Sequence, residues 1–256
     1  MWYYVERKRE WIQMEVVLLE NAVEISKAVS SIIIETVQKK PDAVLGFATG
    51  ASPIETYKRM IEAYEKGVVS FKDVTTFNLD EYCGLPREDK NSYYHFMKEN
   101  LFSKAGFDFS KVNFLSGDPQ KGESCCEEYG KKIAAAGGID IQLLGVGTNG
   151  HIGFNEPADS FTDGPFKVRL TESTINSNSK YFIDRPMPRY AFTMGVGDIM
   201  RAKKIILIAT GESKAKAVYD TIRGPITPRV PASVLQLHPC CVILTDREAG
   251  RLMLEE

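Results

Sequence analysis

Short apolar runs alternate with stretches of helical spacing along almost the whole chain, and this rhythm constrains the fold more than any other feature. Ala43–Ala48, Val74–Leu79, Val112–Leu115, Ile139–Leu144, Arg189–Met194, Lys204–Ala209 and Cys241–Thr245 read as strands, and MEVVLLENA from Met14 as a first one. Between them, Ala22–Gln38 sets Ile25, Ala28, Val29, Ile32 and Ile33 on one helical stripe, and Pro41 follows its end. Pro53 suits the first turn of a helix running to about Glu65, and Tyr93–Leu101, Glu123–Ala136, Ser213–Ile222 and Pro231–Leu237 are the remaining helical stretches. Strands that alternate with helices join as parallel neighbours through right-handed crossovers. The pattern therefore predicts an α/β fold, a doubly wound, mostly parallel sheet with helices on both faces.

With 256 residues and no repeat, low-complexity tract or linker, residues 14–256 read as one domain. The aromatic and charged residues 1–13 read as an N-terminal extension, with Met14 an alternative start. Lys and Arg number 32 against 34 Asp and Glu, so the chain offers no polybasic face for nucleic acid. No apolar stretch approaches the roughly 20 residues that span a bilayer, and the N-terminus lacks the order of a signal peptide. A cytoplasmic protein is expected. Five cysteines without CxxC spacing are expected to be reduced, small buried or half-buried residues. Three histidines far apart, without HxxxH, give no metal site.

Three stretches carry possible chemistry. LGFATGASPIETY joins a strand to a helix, so Gly50, Ala51 and Ser52 would aim N–H groups, and Thr49 and Ser52 hydroxyls, into the positive end of a helix dipole. Neither GxxxxGK nor GxGxxG is present, so the choice is between a sugar phosphate or other small anion and a plain turn. In TFNLDEYCGL, Asp80 and Glu81 emerge at the carboxyl end of a strand, where burial against Tyr82 and Phe77 could raise a carboxyl pKa into the range of a general base. A solvated turn or a helix cap is the alternative there. LGVGTNGHIGFNEPA sets His151 and Glu156 five apart across a glycine-rich loop, near enough for the carboxylate to orient the imidazole, with the Asn149 amide beside them. Lys180 and Lys214 could meet an anion, although most lysines are solvated surface. His95 and His238 read as packed or capping residues.

Together ATGASP, TFNLDEYCGL, SYYHFM, GVGTNGHIGFNEPA, GVGDIM, GESKA and PASVLQLH resemble, in order and spacing, the glucosamine-6-phosphate deaminase family, within the larger group that includes the 6-phosphogluconolactonases. The resemblance runs from about Met14 to Leu244. It implies a Rossmann-like α/β sandwich and conversion of glucosamine 6-phosphate and water to fructose 6-phosphate and ammonia without a cofactor. By motif position Asp80 matches the base that moves a proton between C2 and C1, and His151 the group that opens the pyranose ring, assisted by Glu156 and Asn149. Thr49, Gly50, Ala51, Ser52, Lys180 and Lys214 fall where the family holds the phosphate, and residues Phe154–Phe182 where it has a mobile lid.

The chain departs from the family pattern at Asn149, where some members carry Asp, and at Lys180, where many have Arg. The Arg-rich SRTR is replaced near Asp163–Phe166, and the chain ends soon after Thr245, so no activation by N-acetylglucosamine 6-phosphate is expected. The implied partner is a small amino-sugar phosphate, acting on a monomer or homo-oligomer. The alternatives are galactosamine 6-phosphate as substrate, a 6-phosphogluconolactonase-like hydrolase, and a sugar-phosphate sensor without chemistry.

Overall fold

A computed structural model describes residues 3–9, 12–121 and 124–254, with side chains from residue 14 onward. The strands are β1 (Tyr3–Arg9), β2 (Ile12–Leu19), β3 (Val44–Phe47), β4 (Thr75–Asn78), β5 (Asp80–Tyr82), β6 (Val112–Asn113), β7 (Ile141–Gly145), β8 (Phe166–Arg169), β9 (Tyr190–Thr193), β10 (Lys204–Ala209) and β11 (Cys240–Asp246). The α-helices are α1 (Ala22–Lys39), α2 (Ile54–Glu65), α3 (Tyr93–Met97), α4 (Ser124–Ala135), α5 (Glu172–Asn178), α6 (Val196–Met200) and α7 (Ala215–Arg223).

Eight strands form the main sheet in the order β1-β2-β11-β10-β7-β3-β4-β6, parallel throughout except for the antiparallel pair of β1 and β2. One apolar cluster lies on each face. Ile25, Val29 and Ile33 of α1 with Tyr57 and Met60 of α2 cover one side. Tyr129 of α4, Ile199 of α6 and Val218 of α7 cover the other. The central strands are accordingly buried on both faces, with Ile205, Ile206 and Leu207 fully inaccessible. Truncating one of them to alanine would cost about 2–5 kcal/mol.

The winding reverses beside β3. From β3 the chain proceeds outward to β4 and β6, then returns to β7 on the other side of β3 and continues to β10 and β11. Loops leaving the carboxyl ends of β3 and β7 therefore diverge to opposite faces and open a crevice, the usual ligand position in such sheets.

The doubly wound parallel sheet expected from the alternation is present, with three local corrections. The run Arg189–Met194 does form a strand, but β9 lies outside the main sheet, between β5 and β8 in a three-stranded antiparallel sheet. Pro231–Leu237 is a 3-10 helix rather than an α-helix, and Tyr93–Leu101 is α-helical only to Met97 before a π-helical turn over Lys98–Phe102. Strand β2 begins upstream of Met14, at Ile12, and pairs along its length with β1, so residues 3–9 carry regular structure where the sequence shows no periodicity. Residues 1, 2, 10 and 11 of the expected extension, and Glu123 at the expected start of α4, lie outside the described residues. No helix among the described residues is long and apolar enough to cross a membrane.

Candidate active site

At Leu79 the chain leaves β4 and enters the small sheet, so Asp80 stands at the corner between the two sheets, paired in register with Thr193 of β9. The corner separates the two adjacent carboxylates. Glu81 turns inward, where its Oε1 accepts the backbone N–H groups of Tyr82 at 2.8 Å and Tyr93 at 2.9 Å, and its Oε2 that of Tyr94 at 2.9 Å. It thus caps the start of α3 from a distance in sequence. Asp80 instead lines the cleft. Burial, reinforced by the neighbouring charge of Glu81, pushes its pKa up to about 8. A buried carboxyl at the wall of a cleft that titrates near neutrality has the properties of a general base.

The cleft has a volume of about 240 Å³ and opens between the loops after β3 and β7. One end gathers hydrogen-bond donors and a cation. Thr49, Gly50, Ala51 and Ser52 line it just ahead of α2, Gly50 adopting φ +93°, and no side chain caps that helix. The α2 N-terminus therefore presents unpaired donors and positive potential to the cleft. Lys214, in the turn between β10 and α7, lines the same end, and burial draws its pKa down. A cation with a lowered pKa in a partly desolvated pocket gains from an incoming anion.

At the other end the loop after β7 folds back on itself, with Gly147 N–H donating to the carbonyl of His151 at 2.9 Å. The imidazole packs against Gly147 so closely that a Cβ there would lie 2.2 Å from the ring. His151 Nδ1 is 3.5 Å from Glu156 Oε2, near enough for charge attraction but outside hydrogen-bonding geometry. The Asn149 amide donates to that same Oε2 at 2.8 Å while its oxygen accepts the His151 backbone N–H at 3.2 Å. Thr174 and Thr171 donate to Oε1, the latter at 3.2 Å. Burial would raise the Glu156 pKa, yet His151 and the donors from Thr174 and Asn149 outweigh it and bring the carboxyl to about 2. Glu156 is therefore a fixed negative charge beside the imidazole, and Asn149, as a donor, suits that charge better than an acid would.

Nine of the ten residues singled out in the sequence come together: Asp80, Asn149, His151, Thr49, Gly50, Ala51, Ser52 and Lys214 line the cleft, and Glu156 backs His151. Lys180 does not join them. It lies in the short 3-10 turn after α5, exposed, with its ammonium 5.2 Å from the centre of the Tyr181 ring. His238 is packed, as expected, fully buried between the carbonyl of Ala202 and the Cys240 N–H, while His95 lies half-buried within α3. All five cysteines are free.

Sequence reading missed Tyr93, Ser173, Thr174, Ser177 and Asn178, which also line the cleft. The last four belong to α5, in the expected lid, and the only local signal was Thr171 set three residues before Thr174, an N-cap spacing. Phe154 and Phe182, the ends of that segment, share one small apolar cluster with Tyr82 and Leu85.

The model of a protein family described as glucosamine-6-phosphate isomerases/6-phosphogluconolactonase matches residues 20–243. A glucosamine-6-phosphate deaminase of Thermoanaerobacter pseudethanolicus is 45% identical over 244 residues, 95% of this chain and 96% of the relative. One from Clostridium botulinum strain Langeland is 46% identical over 238 residues, 93% of this chain and 98% of the relative. Among solved structures, a monomeric glucosamine-6-phosphate deaminase superposes with a TM-score of 0.90 at 41% identity, covering 93% of this chain and 100% of the other. The 6-phosphogluconolactonase of Trypanosoma brucei shares the fold, with a TM-score of 0.77 at 20% identity over 94% of this chain and 99% of the other. Fold, cleft and likeness agree, and the chain belongs to the glucosamine-6-phosphate isomerase/6-phosphogluconolactonase family.

Proposed function

We propose that the protein is a glucosamine-6-phosphate deaminase, which isomerises the amino sugar phosphate and releases ammonia to leave fructose 6-phosphate. The observation that carries this reading is the separation of Asp80 and His151 along one cleft that Thr49–Ser52 and Lys214 also line. The relatives at 45% and 46% identity, over nearly their whole length, bear the same activity in their names.

The reaction needs the aldehyde at C1 before C2 can lose its proton, so ring opening and enolisation call for distinct groups. His151 moves the proton from the anomeric hydroxyl to the ring oxygen, and the Glu156 charge stabilises the imidazolium formed on the way. Asp80, in its ionised form, takes the C2 proton while the C1 carbonyl oxygen gains one given up by the C2 ammonium, forming an enolamine; Asp80 then returns its proton to C1, leaving a ketimine. A cationic amine at C2 would favour that ionised form despite burial. Water then adds at C2 and ammonia leaves, which balances the hydrolysis. Thr49–Ser52 and Lys214 hold the phosphate away from the reacting carbons and orient the open chain.

Residues 154–182 act as a lid, carrying α5 over the cleft. A single chain brings Asp80, His151 and Lys214 to the cleft, and the free cysteines suit a reducing, cytoplasmic setting. Purified wild-type and Asp80→Asn proteins offered glucosamine 6-phosphate, galactosamine 6-phosphate and 6-phosphogluconolactone test the reading. Ammonia release from glucosamine 6-phosphate that Asp80→Asn abolishes is expected. Lactone hydrolysis that survives the substitution, without ammonia from either amino sugar, would replace it with the lactonase reading.

A further inference from the structure

Glu156 is held from two sides. Its Oε2 faces Asn149 and His151 on its own loop, while its Oε1 accepts hydroxyls from α5, which lies in the segment over the cleft. The two threonines there differ in what else they do. Thr171 is the N-cap of α5 and accepts the backbone N–H of Thr174 at 3.3 Å, so its hydroxyl is needed for the helix itself. Thr174 has no capping task; it is 4% exposed, and its hydroxyl donates to the carboxylate while standing 3.1 Å from the Thr171 hydroxyl, whose one proton can go to Thr174 or to Oε1.

A carboxylate at the end of a glutamate turns freely about its last bond unless both oxygens are held. With Oε2 held by Asn149 alone, the group could swing away from the imidazole that stands 3.5 Å from it. We propose that Thr174 is a positioning residue for ring opening, its hydroxyl fixing the Glu156 carboxylate against His151. Because the hydroxyl comes from α5, the shuttle is complete only with that helix seated over the cleft. Covering the substrate and preparing its ring-opening group are then one event. The inference rests on the deaminase reading above and adds to it a residue outside the loop that carries the histidine.

The test compares wild type with Thr174→Val, which keeps the shape and removes the hydroxyl, and with Thr174→Ser, which keeps the hydroxyl. Two substrates are used: glucosamine 6-phosphate, and its analogue lacking the 4- and 5-hydroxyls, which stays an open aldehyde with no ring to open. A lost hydrogen bond to a charged acceptor, with the Thr171 bond remaining, predicts a fall in kcat of about tenfold for Thr174→Val on the ring substrate, with KM little changed. On the open analogue Thr174→Val should match wild type, and Thr174→Ser should match it on both. Equal loss on both substrates, or no loss on the ring substrate, would overturn the positioning role. Wild type releasing ammonia from neither substrate would overturn the deaminase reading and this role with it.

Discussion

Asp80→Asn should abolish turnover and make the protein more stable. In the unfolded chain the carboxyl ionises around its ordinary 3.8, whereas burial first, and the Glu81 charge second, keep it protonated in the folded chain up to about 8. A carboxyl whose folded pKa is raised binds its proton more tightly when folded. Its contribution is therefore fully present below pH 3.8 and is lost as the pH climbs towards 8. At about 1.4 kcal/mol per pH unit, the interval from 3.8 to 7 sets a ceiling of about 4 kcal/mol on what this one group removes at neutral pH. Asparagine has the same shape and no charge to desolvate. Urea denaturation of both proteins at pH 4, 5, 7 and 9 follows the effect, because every group not coupled to Asp80 as Glu81 is cancels in the difference. The variant should gain nothing near pH 4, about 2–4 kcal/mol at pH 7, and reach a plateau above pH 8. Ammonia release should fall by about 10²–10⁴-fold, the usual contribution of a general base. A stability difference that does not grow with pH would refute the assignment of a desolvated, proton-holding carboxyl to Asp80.

Three other substitutions probe the rest of the site. Glu81→Ala leaves the N–H groups of Tyr82, Tyr93 and Tyr94 without their acceptor, and should lower stability by about 3 kcal/mol or more in the same urea assay. Gly147→Ala places a methyl 2.2 Å from the His151 ring; the displaced imidazole should cut kcat about 10²-fold, with KM nearly unchanged in steady-state kinetics. Lys214→Met should raise KM for glucosamine 6-phosphate about tenfold or more, whereas Lys180→Ala should leave it within about twofold, because Lys180 stands outside the cleft.

The main sheet was legible because its strands are buried on both faces and so form continuous apolar runs, such as Ile205–Ala209. Strand β8 was not. Its burial alternates, FKVR is as short as a loop, and its partners lie far away in sequence, so nothing local marks it. The hairpin of β1 and β2 was hidden for a related reason, since an edge strand of aromatic and charged residues lacks the apolar run of a core strand. Within the site, loops tied to strand ends were readable, and Asp80, His151 and Glu156 could be named. What separates Asp80 from Glu81 was not readable: it depends on the chain turning a corner between two sheets and on three N–H groups that arrive from residues 82–94. The α5 contribution was hidden likewise, because Thr174 reaches Glu156 across 18 residues. Lys180 was not readable either: its motif position suggests the phosphate, while its exposed place in the turn after α5 had no local signal.

The most direct test of the account is a proton and phosphorus NMR time course of the purified protein with glucosamine 6-phosphate. Ammonium and fructose 6-phosphate should appear together in equal amounts, with no metal or cofactor added. Substrate that persists unchanged, or a sugar phosphate product formed without ammonium, would contradict the assignment of Asp80 and His151 to one deaminating site.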